Sequence, residues 1–190
     1  MKKASCAFIL FLLLAMTSSN NANAFPEYQA WSQKHSKRTV DCAMCHVHGD
    51  GPEGSKPGQM DTLDADAQKR LEVARGAEKP GVHADNPILN EFGNYIVFKL
   101  GLEQVYKMRD DPSQLKQALG EESDHDGDGI SDGEEFEDGT HPLNNQSGAP
   151  WKLFIQNLQK KWVMVAIILF VAITSLFGFK HLLRYSSKVD

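Results

Sequence analysis

Cys42-Ala43-Met44-Cys45-His46 stands in a part of the chain that carries little core of its own. From 32 to 59 the main large apolar side chains are Val40, Met44 and Val47, set among Gly, Pro, Lys and Asp. Such a stretch is either a loop or is wrapped around an apolar body that the sequence does not supply. Residues three apart share a face on a helical turn, so the two thiols are presented together, with an imidazole next to them. Downstream the pattern turns helical. Over Thr62 to Arg75, Leu63, Ala67, Leu71 and Ala74 fall on one face, and Gly76 ends the run. Asn86-Pro87 is expected to open a helix whose stripe is Leu89, Phe92, Ile96 and Leu100 and whose stop is Gly101. A shorter helix is expected over 102–109, and Asp111-Pro112 caps another through Leu119, closed by Gly120. Nothing alternates over a useful length, so no sheet is expected. The fold class is mainly α, with a small loop-rich helical domain over 25–120.

Both ends point to a membrane. Lys2 and Lys3, the apolar run Ala7 to Met16 and Ala22-Asn23-Ala24 form an export signal over 1–24, with cleavage expected after Ala24. Cys6 leaves with it, so the mature chain keeps only Cys42 and Cys45. Trp162 to Phe179 is 18 residues without a charge, close to the length of a single transmembrane helix. Lysines flank it on both sides, so the cleaved signal sets the orientation. Residues 25–161 are expected outside the cytoplasm, in the periplasm of a bacterial inner-membrane protein, and 180–190 form a cytoplasmic tail. Within the linker 145–161, Trp151, Phe154, Ile155 and Leu158 recur at helical spacing, so 151–161 either lies along the membrane or extends the span. Residues 25–150 hold 12 Lys and Arg against 24 Asp and Glu, a net of −12. That excess repels nucleic acid and predicts redox partners with basic docking surfaces.

C-x-x-C-H is the attachment sequence for c-type haem. The two thiols reach the two vinyl groups on one porphyrin edge, and His46 ligates iron from the same side. The haem then supplies the apolar body that 32–59 lacks. A zinc knuckle would use Cys42, Cys45, His46 and His48 or His35, but these ligands lie too close in sequence to enclose a separate loop. A thioredoxin-like redox pair needs a βαβ pattern, which is absent. For the second axial ligand His83 ranks first, in Lys79-Pro80-Gly81-Val82-His83, and Met60 second, in Lys56-Pro57-Gly58-Gln59-Met60. His35, His48 and Met108 are further candidates. A His ligand favours a lower potential than Met.

Asp124 to Glu135 reads DHDGDGISDGEE. Asp124, Asp126, Asp128, Asp132 and Glu135 occupy positions 1, 3, 5, 9 and 12 of a Ca²⁺ loop, Ile130 offers its carbonyl at position 7, and Gly129 takes the sharp turn at position 6. The five carboxylates at these positions repel one another without a cation. The module spans 121–144. Its exit helix, from Gly133 to Asp138, is too short for the opening motion of a calcium sensor, so a structural clip is expected.

Over roughly 25–110 the chain resembles the c-type cytochromes, in particular small exported modules in which C-x-x-C-H is followed by a Gly-rich stretch and an L-N-x-F-G segment. Those features stand as Cys42–His46, Gly49 to Gly54 and Leu89-Asn90-Glu91-Phe92-Gly93. The terminal helices and late Met segment of the best-known soluble cytochromes c are not evident. The acidic loop resembles thrombospondin type 3 and other EF-hand-like bacterial calcium repeats, although here it stands singly. The resemblance implies one covalent haem c and one Ca²⁺ in a membrane-anchored electron carrier, not an enzyme. A calcium-stabilised envelope binding or assembly subunit, with structural or no haem, and a haem sensor with an open iron site are the alternatives.

Overall fold

Phe92, Ile96 and Leu100 recur at helical spacing, and in the computed structural model, which describes residues 25–186, all three lie in the core. The expected export signal over 1–24, with Cys6 and the expected cleavage after Ala24, lies outside the described residues. Among those residues there are eight α-helices and no strand: α1 (Pro26–Ser36), α2 (Ala65–Arg75), α3 (Glu91–Leu100), α4 (Leu102–Met108), α5 (Gln114–Leu119), α6 (Asp132–Asp138), α7 (Pro150–Lys160) and α8 (Trp162–Ser186). Two 3₁₀ turns, Cys42–Met44 and Met60–Thr62, punctuate the long loop between α1 and α2.

Most boundaries follow local chemistry. Asp64 caps α2 by accepting a hydrogen bond from the Ala67 amide at 2.8 Å. The expected face is buried at Ala67, Leu71 and Ala74, while Thr62 and Leu63 stay outside the helix. Gly101 (φ 74°) and Gly120 (φ 75°) end α3 and α5 in backbone geometry that glycine adopts freely. Two further starts differ from expectation. Asn86-Pro87 forms a turn, its side chain accepting from the Ile88 amide at 3.2 Å. The cap of α3 is Asn90, four residues on, which accepts from Gly93. Likewise α5 begins at Gln114, because the Asp111 carboxylate takes hydrogen bonds from the Ser113 hydroxyl and the Gln114 side chain.

The core joins Val40 and Met44 to Phe92, Ile96, Leu100, Val105, Met108, Leu115, Leu119 and Phe136. Two of the three apolar residues of the 32–59 stretch are therefore buried, and only Val47 faces solvent. Phe136 belongs to α6, so 25–120 and the acidic loop module share one core. α1 closes it from the other side: Trp31 stacks on Phe136 (centroids 5.2 Å apart), and the buried Ser32 hydroxyl donates to the Phe136 carbonyl at 2.6 Å. No periodicity announced α1, because its buried contacts are a serine and an aromatic stack rather than an aliphatic stripe.

α8 contains one segment long and apolar enough to cross a membrane, Trp162–His181, with a mean hydropathy of 2.5 and none of it buried. A core helix would be covered; this one is apolar and bare on every side. The helix itself continues past the expected end at Phe179 to Ser186. α7 is a separate helix, broken from α8 at Lys161 (φ −113°, ψ 16°).

Candidate functional site

The C-x-x-C-H segment is one tight turn. Asp41 accepts from the Ala43 amide at 3.0 Å and caps it. The Cys45 and His46 amides both donate to the Cys42 carbonyl, at 3.2 and 2.8 Å. Both cysteines are free thiols. Burial pushes the Cys45 thiol up to about 12, with the neighbouring Cys42 adding to the shift. Cys42 is raised by burial, then by Asp41 and Asp50. Neither thiol is activated as a redox thiolate, which would need a depressed value.

His46 is oriented by its backbone surroundings. Its Nδ1 lies 3.2 Å from the Ile88 carbonyl, which can only accept, so Nδ1 carries the proton and Nε2 keeps its lone pair. Burial holds the imidazole below its ordinary value, in the neutral form that binds metal. A lone bridge pairs His46 with Leu89.

The Leu89–Gly93 segment is the floor on which this turn rests. The Asn90 side-chain amide donates to the carbonyls of Ala43 (2.7 Å), Met44 (3.1 Å) and His46 (3.4 Å), and its backbone amide donates to Cys45 at 3.1 Å. Its side-chain oxygen at the same time caps α3. One residue thus satisfies the carbonyls of the turn and starts the helix beneath it. Asn90→Ala should cost about 2 kcal/mol, from a lost cap and orphaned carbonyls. Urea unfolding of the full chain in detergent reads that loss as a lower midpoint at unchanged slope.

The residues ranked for the far side of an iron are dispersed. His83 stacks on Phe98 (centroids 4.1 Å apart) and opens into a cavity of about 690 Å³ shared with Leu89, Asn94, Tyr95 and His125. Cys42, Cys45 and His46 do not line that cavity. Met60 begins the second 3₁₀ turn, its amide bonded to the Pro52 carbonyl at 2.9 Å, in the loop whose Gly51 lies against Cys42. His35 stacks on Trp31, His48 accepts from the Asp50 amide, and Met108 is in the core.

In the acidic loop, Asp124, Asp126 and Asp128 place one carboxylate oxygen each within 4.8 Å of the others. They are the sole such group of three His, Cys, Asp or Glu among the described residues, so Cys42, Cys45 and His46 do not form a zinc cluster there. Asp124 accepts from the amides of Gly127 and Gly129, both at 2.9 Å, and Gly129 takes the turn at φ 98°. Buried oxygens of Asp126 (Oδ2), Asp128 (Oδ2) and Glu135 (Oε2) have no partner. Glu135 is fully buried, and its carboxyl is pushed up to about 8 by burial, then by Asp126 and Asp128. Unpartnered buried carboxylate oxygens of this kind fit a hard cation. Ile130 donates its amide to Asp128 at 2.7 Å, and its side chain is buried. Asp132 is turned elsewhere: its carboxylate takes hydrogen bonds from the Ser123 hydroxyl, the His125 amide (3.0 Å) and His125 Nδ1 (2.6 Å).

Three residues tie the sites together without any local sequence signal. His125 packs edge-on to Tyr95 (4.5 Å) at the cavity. His141, just past α6, accepts from the Leu143 amide at Nδ1, so its Nε2 donates to the Ala43 carbonyl at 3.0 Å. Lys160 donates to the carbonyls of Gly127 (2.6 Å) and Asp128 (2.8 Å). Comparison with known proteins finds no family model, no curated protein and no solved structure that matches this chain.

Proposed function

We propose that the chain is a membrane-anchored monohaem c-type cytochrome that passes single electrons between a membrane oxidoreductase and another carrier. The observation that carries this reading is the His46 imidazole, neutral and pinned through Nδ1 to Ile88, beside two free thiols three residues apart. The donor set fits haem c: Cys42 and Cys45 would hold it by adding their S–H bonds across its vinyl groups, and His46 Nε2 would ligate iron. Bound haem would supply a one-electron couple. The chain's own part is positioning. Asn90 and His141 fix the carbonyls of the turn, and Ile88 fixes the imidazole tautomer. Asp124, Asp126, Asp128, Glu135 and the Ile130 carbonyl would hold Ca²⁺ as a structural clip, with Asp132 bound to Ser123 and His125 behind them. The exported, acidic part would face the periplasm, with α8 in the inner membrane and the tail in the cytoplasm. Encounter with basic partners would slow as salt rises.

The mass and visible spectrum of the mature protein, produced in a host that matures such proteins, test this. The expected mass is that of residues 25–190 plus one haem, with the added mass surviving denaturation. Colourless protein at the bare chain mass rejects the reading. His83→Ala and Met60→Ala, compared by absorption, assign the sixth ligand; unchanged spectra in both reject the ranking. Because the cavity at His83 is not lined by His46, an open iron site is a second reading, and carbon monoxide binding to the reduced form would favour it.

A further inference from the structure

α7 has two opposed faces. Lys152, Gln156 and Lys160, four residues apart, turn toward the calcium loop and α6. Lys152 pairs with Asp138 at 2.7 Å and Glu134 at 3.6 Å. Gln156 covers Gly129, and Lys160 grips the carbonyls of Gly127 and Asp128. The other face carries Trp151 (71 % exposed), Phe154 (53 %) and Leu158 (38 %), at spacings of three and four, with Trp151 and Phe154 stacked 5.4 Å apart. No described part of the chain covers them. Trp162, 65 % exposed, continues the stripe one turn later as the first residue of α8.

We infer that α7 lies in the outer membrane–water interface. Its aromatic face would be sunk at the headgroup–acyl boundary, and its basic face bolted to the calcium loop, so that the loop module rests on the bilayer as a foot. This rests on the reading of α8 as a membrane span. Continuity commits the occupant. α8 starts two residues after α7 ends, so the lipid surface is within reach of the exposed stripe by construction. An amphipathic helix with Trp and Phe on one side and Lys on the other is the type that beds at that depth. The break at Lys161 lets the chain turn from the interface into the span. The clip then has a mechanical use: it stiffens the ledge between the tether and the core, and so holds the C-x-x-C-H turn in a set orientation to the membrane instead of on a loose string.

The test reconstitutes the full chain in phosphatidylcholine–phosphatidylglycerol vesicles whose acyl chains carry bromine at carbons 6 and 7, and in matched plain vesicles. The emission of Trp151 is taken as wild type minus Trp151→Phe. It should fall by at least half in the brominated lipid. In Phe154→Glu/Leu158→Glu, which puts charge on the apolar face, that quenching should be lost while the protein still floats with the vesicles. Trp151 emission unchanged by bromine in protein that floats and resists alkaline extraction overturns the interfacial helix and leaves the span standing. Protein that neither floats nor resists extraction overturns both.

Discussion

Gly93→Ala is expected to destabilise the chain by about 3 kcal/mol or more, with loss of the native fold on mild heating. The direction is opposite to the general rule. Alanine favours a helix over glycine by about 1 kcal/mol, and Gly93 lies within α3 at ordinary helical geometry. Packing reverses the sign. A Cβ at residue 93 would stand 2.1 Å from the Cys45 carbonyl oxygen and 3.2 Å from Leu89 Cβ. The obstacle is backbone, which cannot rotate away as a side-chain tip can, so α3 and the C-x-x-C-H turn must separate. Separation strips the Asn90 side chain from the carbonyls it holds, exposes Met44 and Phe92, and breaks the His46–Leu89 bridge. Thermal unfolding followed by circular dichroism, on the full chain in detergent, reads the effect. A variant that melts with the wild type would show that α3 does not sit on Cys45. Should haem be attached, the same variant should also show a poorer haem yield, since the thiols would no longer be held by a formed turn.

The close approach at Gly93 marks where sequence reasoning stops. L-N-x-F-G was legible as a pattern, and Phe92 as core, but not that the glycine is small because a carbonyl passes over it. The same boundary runs through the rest of the molecule. α8 was plain from composition alone, because a helix apolar on all faces has few other homes. The carboxylate spacing of the acidic loop was plain because it is local. The start of α3 was misplaced because Asn86 and Asn90 are equally good caps by type. Asn90 wins through the three carbonyls of a turn more than forty residues away. α1 was missed since its anchor, Phe136, lies 105 residues from Trp31 in the chain. Spacing puts Asp132 at position 9 of the loop, and the contacts of its oxygens with His125 and Ser123 are not legible from spacing. For the start of α3 and for α1, a partner far away in the chain decided the outcome.

Calcium added to metal-free protein at pH 8 should raise the melting temperature by about 12 °C. A thousand-fold excess over the dissociation constant is worth about 4 kcal/mol, and a chain of this size gains about 3 °C per kcal/mol. The increment should shrink as the pH falls, for a reason located in Glu135. In the metal-free fold its carboxyl titrates near 8, against 4.5 for the ordinary group, because burial and the charges of Asp126 and Asp128 oppose ionisation. Below about pH 4.5 both folded and unfolded chains hold the proton, and the site is neutral to stability. Between that pH and 8 the fold keeps a proton that the unfolded chain has released. Metal-free stability therefore falls as pH rises through this window, by up to about 1.4 kcal/mol per pH unit for one proton, and levels off above it. Asp126 and Asp128, also raised chiefly by burial, push the same way. Calcium would bind the ionised form, and so would displace a proton at pH 7 and remove the penalty. Glu135→Gln separates the two effects. With a chelator present it should be more stable than wild type at pH 8 and flatter in its pH profile, since no buried charge has to form. With calcium present it should gain little, since the position-12 ligand is gone. A wild-type melting temperature that ignores both calcium and pH between 5 and 8 would mean that the buried oxygens of Asp126, Asp128 and Glu135 do not form a cation cage.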